Sequence, residues 1–180
     1  ASWTSIERRE KQSLKQLKSI ATVRSVGAST RIEGSKLSDE EVNVLLKNID
    51  ISKLEDRDSQ EVVGYFEALD IISEAYNDIQ IAEGDIKNLH NILMKYSTKD
   101  EWHKGNYKKH SNAVEAKYPD GTSQIIFQTT EPGIDTEAAM NKLIEWYNNE
   151  ISIHPLVKCS IFTYEFLSIH PFQDGNGRLS

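Results

Sequence analysis

Among 180 residues the chain has one cysteine, four prolines, nine glycines and two methionines. A single thiol excludes an intramolecular disulfide and a cysteine-rich zinc site, so packing and hydrogen bonds must hold the fold. Cys159 lies close to Ile161 and Phe162 and reads as a small buried side chain, since free cysteine is among the most buried residue types. Positive charge is also scarce. Lys and Arg total 21 against 28 Asp and Glu, a net charge of −7. That balance argues against non-specific nucleic-acid binding and an anionic membrane surface, both of which need a basic face. No apolar run reaches the roughly 18 residues of a membrane span. The stretch Ile6 to Lys11 is charged, unlike a secretory leader, and a cytoplasmic protein is expected. With 38% hydrophobic and 27% charged residues, the remainder is ordinary composition for one globular domain.

Hydrophobic periodicity predicts a mainly helical chain. From Thr4 to about Val26, Leu14, Leu17 and Ala21 recur on one side of a helix that runs on toward Gly34, a plausible terminator. Ser38 followed by Glu41 has capping-box spacing ahead of Val42, Leu45 and Ile49. After a polar connection from Asp50 to Asp58, Val62, Phe66, Leu69, Ile72, Tyr76 and Ile79 define a long helix with one buried stripe. The next helix turns Ile86, Leu89, Leu93 and Tyr96 inward and carries His90, read as a core histidine because no second ligand stands at metal spacing. His103 and His110 take no role. Helical spacing fails between Gly105 and Thr130, where Pro119-Asp120-Gly121 separates two strand-like runs, the pattern of a β-hairpin. Asp135 or Thr136 caps a helix bearing Met140, Leu143, Trp146 and Tyr147. Pro155 opens another that is apolar almost all round as far as Ile169, and is therefore expected to be central and buried. In all, about seven helices and one small hairpin are expected.

Chemistry concentrates in the last eleven residues, His170-Pro171-Phe172-Gln173-Asp174-Gly175-Asn176-Gly177-Arg178-Leu179-Ser180. Glycines let backbone N–H groups approach phosphate oxygens, a helix start adds its dipole, and Arg178 adds a fork of donors. Asp174 offers a hard oxygen to Mg²⁺, and His170 stands nearby as a proton acceptor. The stretch reads as an anion site for nucleotide chemistry. A plain Gly/Asn turn between helices is the alternative.

HPFQDGNGR resembles, at every fixed position, the active-site motif of the Fic family, H-x-F-x-D/E-G-N-G/K-R. The resemblance covers nearly the whole chain and implies a Fic-type helical domain with one β-hairpin flap. Ser29-Thr30-Arg31-Ile32-Glu33-Gly34 resembles the family's inhibitory motif, S/T-x-x-x-E-G/N, with Ser29 and Glu33 in the fixed places. This implies N-terminal helices with the inhibitory motif over residues 1–55 and a catalytic core over 56–180. Gly177-Arg178-Leu179-Ser180 is only the first turn of a helix, so the chain is expected to be a fragment, truncated after the signature loop.

The implied reaction is adenylylation, AMP transfer from ATP to a Ser, Thr or Tyr hydroxyl of a target protein. His170 would be the general base, Asp174 the Mg²⁺ ligand, Gly175, Asn176 and Gly177 the phosphate cradle, and Arg178 the neutralising charge. Phe172 is expected to anchor the loop in the core. The hairpin, with Ile125, Ile126 and Phe127, would be the flap that aligns the target by strand addition. Glu33 would restrain ATP by pairing with a second arginine three residues after the motif arginine, just past Ser180. Family members that transfer other phosphate-containing groups leave the transferred group open. Gly177, where phosphate-transferring members have lysine, favours the nucleotidyl group. De-adenylylation and a non-catalytic helical interaction module are the other readings. Oligomeric state is open, a homodimer included. The run Gly105-Asn106-Tyr107-Lys108 departs from the family in having lysine where arginine is commoner, which puts a phosphate contact from it in doubt.

Overall fold

The computed structural model describes residues 11–98 and 101–180. The helices are α1 (Lys11–Ile32), α2 (Asp39–Lys47), α3 (Arg57–Ala75), α4 (Glu83–Leu93), α5 (Ile134–Asn149), α6 (Pro155–Ile169) and α7 (Asn176–Leu179). Strands β1 (Ala113–Lys117) and β2 (Ser123–Gln128) form one antiparallel hairpin between α4 and α5. The expected mainly helical fold with a hairpin is what the chain adopts. No helix among the described residues is long and apolar enough to cross a membrane.

Local chemistry sets most boundaries. Gly34, at φ 105, ends the run after α1. Ser38 and Glu41 make the reciprocal hydrogen bonds of a capping box at α2. Asp56 accepts from the Ser59 N–H at the start of α3, and Pro155 occupies the first turn of α6. The Asp120 carboxylate accepts from the N–H and hydroxyl of Thr122, closing the hairpin turn.

Packing divides into connected clusters. Val26, Val42 and Val62 bury the junction of α1, α2 and α3, each side chain worth roughly 1.5–3 kcal/mol on full burial. Ile86, Tyr107, Met140, Leu143, Phe166, Ile169 and Phe172 form the centre of the second half. Ala68, Leu93 and Met94 join them through α3 and α4. There the helices cross so closely that a Cβ at Gly64 would overlap the Leu93 carbonyl.

Several sequence expectations change. The start predicted at Thr4 lies outside the described residues. In α1, Leu17 is exposed and the buried side chains are Val26 and Thr30, toward its C-terminal end, where Val26 packs with Val42 of α2 and Val62 of α3. Helix α3 ends at Ala75, so Tyr76 and Ile79 fall beyond it and Tyr76 is exposed. Helix α6 is not buried all round. Leu156, Val157 and Tyr164 are 73%, 50% and 69% exposed, and only Phe166 and Ile169 are fully inside. Its described partners, α5 and α7, cover one face. Cys159 lies on the uncovered side and is exposed, contrary to expectation.

Candidate functional site

Helix α6 ends where its backbone reverses hand. His170 is its C-cap, in the left-handed conformation at φ 54 and ψ 60, with its N–H donating to Phe166 O. Among the described residues it is the only non-glycine with positive φ, a conformation that costs on the order of 1–2 kcal/mol in an L-residue. The His170 ring places Nδ1 3.2 Å from Leu167 O. A carbonyl can only accept, so this contact puts the proton on Nδ1 and leaves Nε2 with a free lone pair. Burial lowers the His170 pKa below its usual value, the Leu167 carbonyl opposes that shift, and Lys108 adds to it. The imidazole is therefore neutral at neutral pH and able to accept a proton.

The loop after His170 is closed from beneath. Phe172 is fully buried and stacks on His90, ring centroids 3.8 Å apart, so it anchors the loop as expected. Asn176 is buried and its amide clasps Phe172, accepting from its N–H at 2.9 Å and donating to its O at 2.8 Å. Only the Asn176 backbone is left to face a phosphate. Gly175 needs both its φ of 78 and its lack of a side chain, because a Cβ would press on Leu93, Met94 and His90.

Asp174 Oδ1 accepts from the Gly175 N–H at 2.6 Å and from Arg178 Nη2 at 3.1 Å, while Oδ2 lies 3.5 Å from Arg57 Nη2. The Arg178 side chain is 1% exposed and its Nη1 lies 3.4 Å from Glu61 Oε2. Arg57 Nε in turn donates to Glu61 Oε1 at 2.6 Å. Two arginines and two carboxylates thus form a closed set under the loop. Among the described residues Arg178 Nε makes no hydrogen bond and Nη1 has only its ion pair with Glu61, so the guanidinium acts on the loop as a buried positive charge.

Glu33 reaches this loop from the end of α1. A Cβ at Gly177 would collide with Glu33 Oε1, so the carboxylate lies directly over the glycine. Partial burial pushes the Glu33 pKa up, the Arg178 guanidinium draws it down, and Asp174 and Glu61 push it up further. Ser29, Glu33, His170, Asp174, Gly175, Asn176 and Gly177 line one cleft of about 430 Å³. The structure therefore brings seven of the sequence-predicted residues together. Arg178 lies behind the wall. Ile125, Ile126 and Phe127 are exposed on β2, outside this cleft. A larger groove of about 790 Å³, beneath Phe127 and between α5 and α6, has only Lys142 and Glu165 as charged lining residues. It lacks the acid–base and anion-binding groups of the smaller cleft.

Among the described residues no three His, Cys, Asp or Glu side chains are grouped to hold a metal ion. Asp174 by itself suits a hard cation that keeps waters and takes its remaining ligands from phosphate oxygens, and does not suit a caged metal. Lys108 is 2% exposed, and its ammonium donates to Asn112 Oδ1, Thr129 Oγ1 and Ile169 O at 2.8, 2.8 and 3.0 Å. Burial pushes its pKa down to about 8, with Glu131 opposing. All three protons are committed inside the protein, so Lys108 makes no phosphate contact.

The Fic/DOC family model matches residues 80–180, more than half of the chain. The chain belongs to the Fic/DOC family. It is 25% identical over 173 residues to the protein adenylyltransferase Fic of Drosophila willistoni, an alignment covering 93% of this chain and 32% of that protein. The chain thus spans about a third of the length of that relative. A Fic-domain-containing signalling protein from Bacteroides thetaiotaomicron superposes with a TM-score of 0.78 at 26% identity, over 98% of this chain and 65% of the other. A Fic family protein from Desulfovibrio desulfuricans gives 0.73 and 29%, over 98% and 51%.

Some residues of this Fic site were not foreseen. Arg57, Glu61, Asn112 and Thr129 carry no motif, although Glu61, a charge beside Val62 and Val63 in a buried stripe, was a visible signal. His90 is the core histidine expected, yet it also holds the loop: its Nε2 lies 3.0 Å from Asp174 O.

Proposed function

We propose that this Fic protein is an adenylyltransferase that moves AMP from ATP to a Ser, Thr or Tyr hydroxyl of a protein. The observation that carries the reading is the pairing, in one cleft, of a neutral imidazole whose Nε2 is free to accept with a glycine-bearing anion loop. The target hydroxyl attacks the α-phosphorus, its proton passes to His170 Nε2, and pyrophosphate leaves. A positioned base of this kind typically contributes about 10²–10⁴ in rate. The backbone N–H groups of Asn176 and Gly177, at the start of α7, face the phosphates, while Arg178 adds positive charge from behind the loop. Asp174 is the residue to hold Mg²⁺, which supplies charge neutralisation across the phosphates when bound. The exposed apolar run Ile125-Ile126-Phe127 on a two-stranded hairpin, with strand edges open to addition, supports the flap role, since a target segment can pair with such an edge.

Glu33 is the proposed restraint. Its carboxylate lies against Gly177, on the loop that phosphates would approach, and competes with them for positive charge while repelling theirs. Incubation with ATP and Mg²⁺ followed by intact-mass measurement tests the activity. An AMP-sized gain in mass on the protein or on an added target, absent from His170→Ala, is expected. No gain in either the native chain or Glu33→Gly would remove the reading.

A further inference from the structure

We infer that Lys108 is a positioning residue that ties the root of the hairpin to the backbone on both sides of His170. The inference rests on the adenylyl-transfer reading for its catalytic consequence and on the hydrogen-bond network for everything else. Asn112 immediately precedes β1 and Thr129 immediately follows β2. Both donate to or accept from one buried cluster: the Lys108 ammonium binds Asn112 Oδ1 and Thr129 Oγ1, and Thr129 Oγ1 also contacts Asn112 O at 2.6 Å. The third ammonium proton goes to Ile169 O, one residue before His170. The Lys108 N–H donates to Pro171 O at 2.8 Å, one residue after it. Asn112 Nδ2 completes the set by donating to Phe172 O at 3.1 Å.

Three carbonyls bracketing the left-handed residue are therefore captured by Lys108 and Asn112. The same groups gather the two ends of the hairpin. An ammonium has three donors and here uses all of them. Any swing of the hairpin root must break charge-assisted bonds in a buried setting, where no water replaces the lost partner. A strand laid on β2 and the base at His170 thus share one fixed reference, the geometry that a hydroxyl attacking phosphorus requires.

The test uses Lys108→Met, which keeps the stem and removes the donors, Lys108→Arg, which restores a charged multiple donor, and Thr129→Val, which removes one hairpin-side partner. Lys108→Met should lower the transfer turnover by about 10²-fold while nucleotide affinity by calorimetry stays within about threefold, and Lys108→Arg should recover most of the loss. Amide hydrogen exchange across 113–117 and 123–128 should quicken in Lys108→Met, and the His170 ring resonances should shift. Should Lys108→Met fail to fold, Thr129→Val carries the same readouts with a smaller effect. Native-like hairpin exchange and His170 resonances in a folded Lys108→Met or Thr129→Val protein would overturn the inference. If the native protein transfers no AMP, the proposed function fails, and the exchange and resonance measurements still decide the positioning role.

Discussion

Lowering the pH should loosen the fold through a single buried ring, that of His90. Its Nδ1 accepts the Gly105 N–H at 2.9 Å, so the ring proton must sit on Nε2, from which it is donated to Asp174 O. Protonation would place a second N–H on Nδ1, facing the N–H of Gly105. Burial is the main cause that pushes the His90 pKa down from 6.5 to about 4, with the Asp174 carbonyl partly opposing. The unfolded chain binds this proton near 6.5 and the folded chain does not. The stability tied to a neutral His90 is therefore fully present above 6.5 and is lost as pH falls through about 4. At 1.36 kcal/mol per pH unit the whole window amounts to on the order of 3 kcal/mol, a large share of a typical domain's 5–15. Urea unfolding between roughly pH 7 and 4.5, for the native chain and His90→Phe, isolates this contribution. Phenylalanine retains the stack on Phe172, but it strands Asp174 O and the Gly105 N–H, at about 1–3 kcal/mol each. The variant should start less stable and lose less on acidification, by close to one proton's slope. Parallel pH dependences in the two proteins would refute the assignment.

Four further outcomes are expected. His170→Ala should abolish transfer with nucleotide binding nearly intact. In the native protein the acid limb of kcat/KM should fall below pH 6.5, because the His170 pKa is lowered from that value; pH–rate profiles and calorimetry check both. In a protein that includes the expected second arginine past Ser180, Glu33→Gly should raise labelling strongly, by up to about 10²-fold if realignment of the α-phosphorus is what is gained, with little change in melting temperature, and in residues 1–180 alone much less; an unchanged labelling rate in the longer protein would refute the restraint. Strand pairing skips Ile126, since Phe127 opposes Val114 and Ile125 opposes Glu115. Ile126→Pro should therefore leave the hairpin formed while impairing target labelling more than nucleotide binding, and equal loss of both would indicate misfolding.

The local chemistry was legible in the sequence. His170, Asp174 and Gly175 to Gly177 are contiguous, so a motif places them together whatever the rest of the chain does. The capping box at Ser38, the hairpin turn at Pro119-Asp120-Gly121 and Pro155 at the start of α6 likewise act within a few residues. The tertiary structure decided what lies far apart. His90 meets Asp174 across 84 residues and Lys108 meets Ile169 across 61, and no local pattern encodes either distance. It also decided which apolar faces are covered. The composition of α6 predicts a buried helix, but burial requires a neighbour, and its described neighbours cover only the side of Phe166 and Ile169. Periodicity states which residues a helix can bury; only the arrangement of the other helices determines which of them leave water.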